Sequence, residues 1–168
     1  MTINVPFFRP SIGEAEISAV VDSLRSGWLT TGPQTSAFEA DFRSVMGDDV
    51  HAIAVNSATA ALHLGLEALG VGPGDEVIVP TMTFTATAEV IRYLGAIPVF
   101  VDMDPGTLCI SVETVAAAIT PLTKVLMPVH FAGRSVDMTA MRALADTHGF
   151  AILAVSYTHL TLPPNREV

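Results

Sequence analysis

The segment 55–62, VNSATAAL, contains the residues best suited to chemistry. An apolar run ends at Val55, and a helical pattern begins within two or three residues. Small side chains at Ser57 and Ala58 would let an anion approach the N–H groups of the first helical turn, where the helix dipole favours negative charge. The hydroxyls of Ser57 and Thr59 can also donate hydrogen bonds. The pattern predicts a phosphate cradle, although a serine that only caps an alanine-rich helix would have the same sequence.

Polar residues also follow two other predicted strands. His130 comes after an apolar run at 125–129, and active-site groups of open α/β sheets gather at the carboxyl ends of strands. A histidine that only packs against its neighbours is the alternative. Asp102 and Asp104 in DMDPGT could suggest a metal pair, but no third ligand is evident. We interpret these two acids as turn formers and predict no metal site.

The elements that would position these residues alternate along the chain. Short apolar or β-branched runs predict strands at 52–55, 77–79, 98–101, 125–129 and 151–153. Helical patterns fill the gaps at 58–69, 85–94, 112–119 and 139–147. Two earlier helices are predicted from capping-box spacing at Ser11/Glu14 and Ser36/Glu39, ending near Gly27 and Gly47. Apolar strands that alternate with helices are typical of an α/β fold with a parallel sheet.

Composition excludes several classes of function. The chain of 168 residues has a net charge of -9 and only 8 Lys and Arg residues, which disfavours nucleic-acid binding. Pro, Gly or a charge interrupts every apolar run before it reaches membrane-spanning length, so no membrane span is expected. The N-terminus, MTINVPFFRP, lacks the pattern of a secretory signal. Cys109 is the only cysteine, so no internal disulfide can form and a cytoplasmic location is expected.

Several collinear segments together carry a family resemblance that covers about residues 5–153. They read PSIGEAEISAV, SGWLTTGP, FEADF, NSATAALHLGLEALGVGPGDEVIVP, TFTATAEVI, GAIPVFVDMDPGTLCIS, ITPLTKVLMPVHFAG and VDMTAMRALADTHG. In this order and spacing they resemble the first part of the DegT/StrS sugar aminotransferases, which are fold-type-I enzymes dependent on pyridoxal 5′-phosphate (PLP). The resemblance implies an incomplete three-layer αβα large domain with a mostly parallel sheet, and residues 1–154 would be the N-terminal part of that PLP-binding domain.

The resemblance also implies roles for individual residues. Residues 56–59 match the segment that holds the cofactor phosphate, with backbone N–H groups from Ala58 and Thr59, although the family often has glycine where Ala58 stands. Phe84 matches the aromatic that stacks on the pyridine ring, and His130 matches a histidine that lines the cofactor pocket. Trp28 and Thr30 match a segment near the sugar substrate. For Phe84 the alternative is a core aromatic, and for Trp28 and Thr30 it is simple packing within a loop.

As an intact enzyme, a family member of this kind would be a homodimer that moves an amino group, typically from glutamate, to a keto-sugar attached to a nucleotide. A branch in which histidine replaces the catalytic lysine dehydrates the sugar at position 3 instead. A non-catalytic phosphate- or nucleotide-binding α/β module is the alternative from another class. A Rossmann dehydrogenase is disfavoured because no G-x-G-x-x-G follows a strand.

Two groups that the family needs for transamination are not expected in this chain. The aspartate that pairs with the pyridinium nitrogen would fall at about position 155, where Val155 stands. The only lysine, Lys124, begins a predicted strand at the end opposite the cofactor. Residues 155–168 lack periodicity and resemble a translated sequencing adapter, so we expect a non-native tail there. The chain as written is therefore predicted to be inactive and prone to aggregation.

Overall fold

The computed structural model describes residues 10–47 and 49–156 and divides the chain into two units, with the boundary after Ala54. The first unit contains helix α1 (Glu14–Ser26), which begins after Gly13. The Glu16 carboxylate accepts a hydrogen bond of 2.6 Å from the Gly13 N–H, and this contact lowers the pKa of Glu16. The predicted capping box at Ser11 and Glu14 is therefore wrong by two residues, while the predicted end is confirmed because Gly27 adopts a left-handed conformation there.

Helix α2 (Pro33–Met46) follows in the same unit. It begins with Pro33 in its first turn after Gly32, and not at the predicted Ser36/Glu39 capping box. Proline suits this position because its missing N–H would have had no helical partner. The Glu39 carboxylate instead accepts a hydrogen bond of 2.8 Å from the Ala54 N–H. The helix ends before Gly47, as predicted.

The second unit alternates helices and strands, as the apolar rhythm predicts. Its helices are α3 (Ala58–Ala68), α4 (Thr85–Tyr93), α5 (Val112–Ala118) and α6 (Met138–His148). Its strands are β1 (Glu76–Pro80), β2 (Ile97–Val101), β3 (Thr123–Leu126), β4 (Val129–His130), β5 (Ala151–Ile152) and β6 (Val155–Ser156). Four strands form a parallel sheet in the order β2-β1-β3-β5, and β4 pairs with β6, also in parallel. The predicted α/β class is confirmed.

Alternating side chains of the sheet separate two apolar clusters. Val77 and Val79 face α3 and α4, whose Leu66 and Ile91 are fully buried in the same cluster. Ile78 points to the opposite face, where residues of α5 and α6 complete the second cluster. Helices therefore cover both faces of the sheet, which explains why its central strands are continuously apolar.

Two strand predictions need correction. Residues 52–55 are extended but form no strand with any described part of the chain, and Ile53 is 80% exposed. An apolar run becomes a strand only when a neighbouring strand accepts its backbone hydrogen bonds, and none does so here. The predicted strand 125–129 is two strands, because Pro128 has no N–H to continue the ladder of β3.

Lys124 lies in β3, and its ammonium group makes hydrogen bonds at the amino-terminal end of the sheet. It donates hydrogen bonds to the Gly70 carbonyl (2.7 Å) and to Asp75 Oδ2 (3.1 Å). The Gly72 N–H also donates to Asp75, and these contacts, with the Gly72 bond the largest, lower the pKa of that carboxyl. Lys124 therefore joins the turn after α3 to β3, which is a structural role.

None of the helices in the described ranges is long and apolar enough to cross a membrane. Within the same ranges, no group of three or more His, Cys, Asp and Glu side chains is arranged to hold a metal ion. Asp104 takes the turn-forming role predicted for it, because its Oδ1 accepts hydrogen bonds from the Gly106 and Thr107 N–H groups. The Thr107 contact is the main reason that the pKa of Asp104 is lowered.

Candidate cofactor site

The segment predicted to form a phosphate cradle lies at the start of α3. Ser57 is the N-cap residue, with an extended backbone, and its Oγ accepts a hydrogen bond of 3.1 Å from the Ala60 N–H. The same hydroxyl lies 3.4 Å from Asn56 Oδ1. The side chain of Ser57 thus satisfies one amide of the first turn and holds the helix start in place.

Ala58 and Thr59 supply the amides that remain at this helix start. They are the first two residues of α3, so their N–H groups point out of the helix and have no acceptor within it. Ala58 is helical, which means that the methyl group in place of the family's frequent glycine imposes no left-handed strain. Asn56, Ser57 and Ala58 are exposed. The segment therefore fits a phosphate group, which would accept hydrogen bonds from these amides.

Phe84 is the N-cap residue of α4 and follows the carboxyl end of β1. Its backbone is extended, with φ -71° and ψ 142°, and its carbonyl accepts a hydrogen bond of 2.9 Å from the Thr87 N–H. The side chain is 66% exposed. Phe84 is therefore not part of the core of the described residues, and a largely exposed ring that follows the end of a strand suits packing against a flat ligand.

His130 lies in β4 and is half-buried. Its Nδ1 accepts a hydrogen bond of 3.1 Å from the Val136 N–H, so the neutral imidazole carries its proton on Nε2. Burial lowers the pKa of His130 and favours this neutral form. A tight turn between Phe131 and Arg134, with Ala132 at φ 50°, brings the chain back so that Val136 can reach the ring.

The parallel sheet brings three predicted site elements to one edge. All four of its strands run in the same direction, and α3 leads into β1 through a turn at the amino-terminal edge. The start of α3, Phe84 after β1 and His130 after β3 therefore belong to the carboxyl-terminal edge. Helix α3 packs closely against Leu153, the residue that follows β5. A methyl group added at Gly65 of α3 would lie only 3.1 Å from the Leu153 side chain.

Position 155, where the family's aspartate is expected, lies at this edge as well. Val155 is buried in β6, its N–H donates 2.8 Å to the Pro128 carbonyl, and it pairs with Val129. Residues 155 and 156 are thus part of the parallel pairing, whereas 157–168, the rest of the predicted tail, lie outside the described residues. Valine provides no charge for a pyridinium nitrogen.

Trp28 and Thr30 belong to the first unit. The Trp28 indole donates a hydrogen bond of 2.9 Å to the Thr31 carbonyl and packs directly against Gly32, where a side chain would collide with the ring. Trp28 is still 59% exposed. Its predicted contact with a sugar substrate, and that of Thr30, stay predictions.

Comparison with known proteins gives a family match over most of the chain. Residues 10–155 match the model of the DegT/DnrJ/EryC1/StrS aminotransferase family. The chain belongs to this family. The predicted resemblance is therefore confirmed, and the match extends over nearly all of the described residues.

Solved structures of family members superpose closely on the chain. Spr1654 from Streptococcus pneumoniae is described as a sugar aminotransferase and was solved in its pyridoxamine 5′-phosphate (PMP) form. It has 46% identity and a TM-score of 0.81, and the match covers 86% of this chain and 36% of that one. DesV from S. venezuelae, in complex with a ketimine intermediate, has 42% identity and a TM-score of 0.80, with 84% and 38% covered. An aminotransferase from Psychrobacter cryohalolentis has 39% identity and a TM-score of 0.83, with 89% and 38% covered. The chain spans less than half the length of these relatives.

The cofactor of the DegT/DnrJ/EryC1/StrS homologues is PLP, and Spr1654 is also among the matches in its PLP form. The residues at the carboxyl-terminal edge fit this cofactor in two respects, a helix start for its phosphate and an exposed aromatic for its ring. Two contacts there were not predicted, the Val136 N–H on His130 and a hydroxyl pair between Thr83 and Thr87. The sequence TFTAT offered a hint of the second, because Thr83 directly precedes the N-cap residue and Thr87 lies in the first turn of α4, where hydroxyls often pair with groups at the helix start.

Proposed function

We propose that this chain provides the phosphate cradle and the ring-stacking wall of a PLP-dependent sugar aminotransferase. The intact enzyme would act as a homodimer and transfer an amino group, from an amino acid such as glutamate, to a keto-sugar attached to a nucleotide. The observation that carries the proposal is the start of α3. Its Ser57 cap and its outward Ala58 and Thr59 amides lie at the same sheet edge as the exposed Phe84.

The chain's own residues bind and orient in this proposal. The Ala58 and Thr59 N–H groups and the Thr59 hydroxyl hold the phosphate, with the α3 dipole adding to the attraction. Phe84 sets the plane of the pyridine ring, and the Nε2–H of His130 donates a hydrogen bond at the rim of the pocket. The bound cofactor supplies the electron sink that amino-group transfer needs. Trp28 and Thr30 contact the sugar.

Binding of pyridoxamine 5′-phosphate (PMP) tests the proposal, because PMP has no aldehyde and cannot react with lysine. We expect the 168-residue chain to bind PMP at least tenfold more tightly than pyridoxamine, which lacks the phosphate, in a calorimetric or fluorescence titration. Phe84→Ala should weaken PMP binding by roughly 3- to 10-fold, since an aromatic pair contributes about 0.5–1.5 kcal/mol.

Phe100→Ala is the matched control for this titration. Phe100 is also an exposed phenylalanine, at 53%, but it lies within the edge strand β2 and not at the start of a helix. Its replacement should leave PMP affinity unchanged. Equal affinities for PMP and pyridoxamine, or equal effects of the two phenylalanine variants, would contradict the proposed site.

We further propose that the 168-residue chain does not catalyse transamination, because its only lysine is held elsewhere. Lys124 bonds to Gly70 and Asp75 at the amino-terminal edge of the sheet, away from the cradle. After incubation with equimolar PLP and borohydride reduction, mass spectrometry should show no stoichiometric modification of Lys124. Complete, saturable labelling that PMP competes away would overturn this part of the proposal.

A further inference from the structure

Thr87 is the buried polar side chain of the described residues, at 1% exposed. It lies in the first turn of α4, among the buried Ala86, Val90 and Ile91. Its hydroxyl lies 2.8 Å from the Thr83 hydroxyl, and either oxygen can be the donor. A buried hydroxyl is stable only when it is paired, so the Thr87 hydroxyl holds Thr83 at the entrance of the helix.

The backbone of Thr87 makes a second contact with the same loop. Its N–H donates 2.9 Å to the carbonyl of Phe84. Thr87 therefore holds both residues that precede α4, one through its side chain and one through its main chain. Since Thr87 is anchored in the core, the position of Phe84 is tied to the core as well.

The other end of the loop is attached to the neighbouring strand. The Thr81 N–H donates 2.9 Å to the Val101 carbonyl, and the Thr81 hydroxyl donates 3.1 Å to Asp102 Oδ1. Residues 81–87 are thus held at both ends, and between these contacts the Phe84 ring is exposed. These contacts restrict the backbone that carries the exposed ring, so less conformational freedom remains to be lost when the ring binds a ligand.

We propose that Thr87 is a positioning residue that fixes the ring plane of Phe84 for a flat, phosphate-bearing heteroaromatic ligand. This inference rests on the proposed function, in which Phe84 stacks on the pyridine ring. Thr87 does not touch the ligand. It lowers the entropy that the loop would lose when the ring binds.

A double-mutant cycle with PMP tests the inference on the full chain. Thr87→Val keeps the shape of the side chain but removes the hydroxyl, and it should weaken PMP binding. The loss should not exceed that of Phe84→Ala, which is roughly 3- to 10-fold. Thr87→Ser keeps the hydroxyl and should restore most of the affinity. In the Phe84→Ala background, Thr87→Val should have no further effect, because the ring that it positions is gone.

Thr83→Val is the second variant, in case Thr87→Val unfolds the chain. Thr83 is only half-buried, and its replacement breaks the same hydroxyl pair. Amide hydrogen exchange should accelerate in residues 81–87 of either valine variant while α3 stays protected. If Thr87→Val weakens PMP binding equally in the Phe84 and Phe84→Ala backgrounds, the positioning role of Thr87 is overturned while the proposed function stands. An unchanged affinity in Phe84→Ala would overturn the proposed function, and the inference with it.

Discussion

Replacing Leu66 with alanine is expected to lower the free energy of unfolding of the second unit by about 2–5 kcal/mol. Leu66 lies in the third turn of α3 and is fully buried, at 0% exposed, in the cluster that joins α3 and α4 to the sheet. The substitution removes the three carbon atoms of the isopropyl group and leaves a cavity that the packed sheet cannot fill. Urea denaturation followed by circular dichroism measures the loss.

Leu64→Ala is the matched control on the same helix. Leu64 is 52% exposed, so its truncation removes little buried area, and alanine favours the helix slightly more than leucine. We expect a change within about 0.5 kcal/mol. Equal destabilisation by the two variants would show that α3 does not use the face described here to pack on the sheet.

The elements that the sequence predicts well are those whose pattern repeats within one segment. The helix predicted at 58–69 is α3 (Ala58–Ala68), and the strands predicted at 77–79 and 98–101 lie within β1 and β2. The helix shows the periodicity of its buried face and the two strands are short, continuously apolar runs, so the local pattern is sufficient. The parallel arrangement follows from the alternation of helices and strands.

The errors arise where the structure depends on residues outside the segment. The run at 52–55 has a strand's composition, but the Ala54 N–H bonds to the Glu39 side chain and not to a neighbouring strand. The sequence favours Ser11 as the start of α1, because serine is a strong N-cap. Gly13 takes that position, with Glu16 closing onto its N–H, and glycine gives no side-chain pattern to recognise.

The candidate site also combines features that depend on local sequence with features that depend on residues elsewhere in the chain. The capped helix start at residues 57–59 could be predicted because a cap is a local property of the sequence. The hydrogen bond to His130 could not, since it depends on a turn in which Ala132 adopts φ 50°, a conformation that alanine rarely takes. The Thr83–Thr87 pair likewise depends on the burial of Thr87, which only the packing of α4 determines.

Replacing Ser57 with aspartate should abolish most phosphate binding while leaving the fold intact. Aspartate caps helices about as well as serine, so α3 should keep its start and the thermal midpoint should hardly change. The new carboxylate would lie beside the Ala58 and Thr59 amides, where it repels the PMP phosphate and competes for the same N–H groups. A unit charge about 4 Å away contributes roughly 1–4 kcal/mol near a protein surface, so PMP affinity should fall at least tenfold.

Two comparisons separate this electrostatic effect from damage to the helix. Ser57→Ala removes the cap without adding charge, so it should cost about 0.5–2 kcal/mol of stability yet weaken PMP binding less than Ser57→Asp does. Pyridoxamine, which lacks the phosphate, should bind Ser57→Asp as well as it binds the unsubstituted chain. Added salt should narrow the difference between Ser57→Asp and the unsubstituted chain, because the cradle is exposed and its charges are screened. Wild-type PMP affinity in Ser57→Asp would place the phosphate somewhere other than the start of α3.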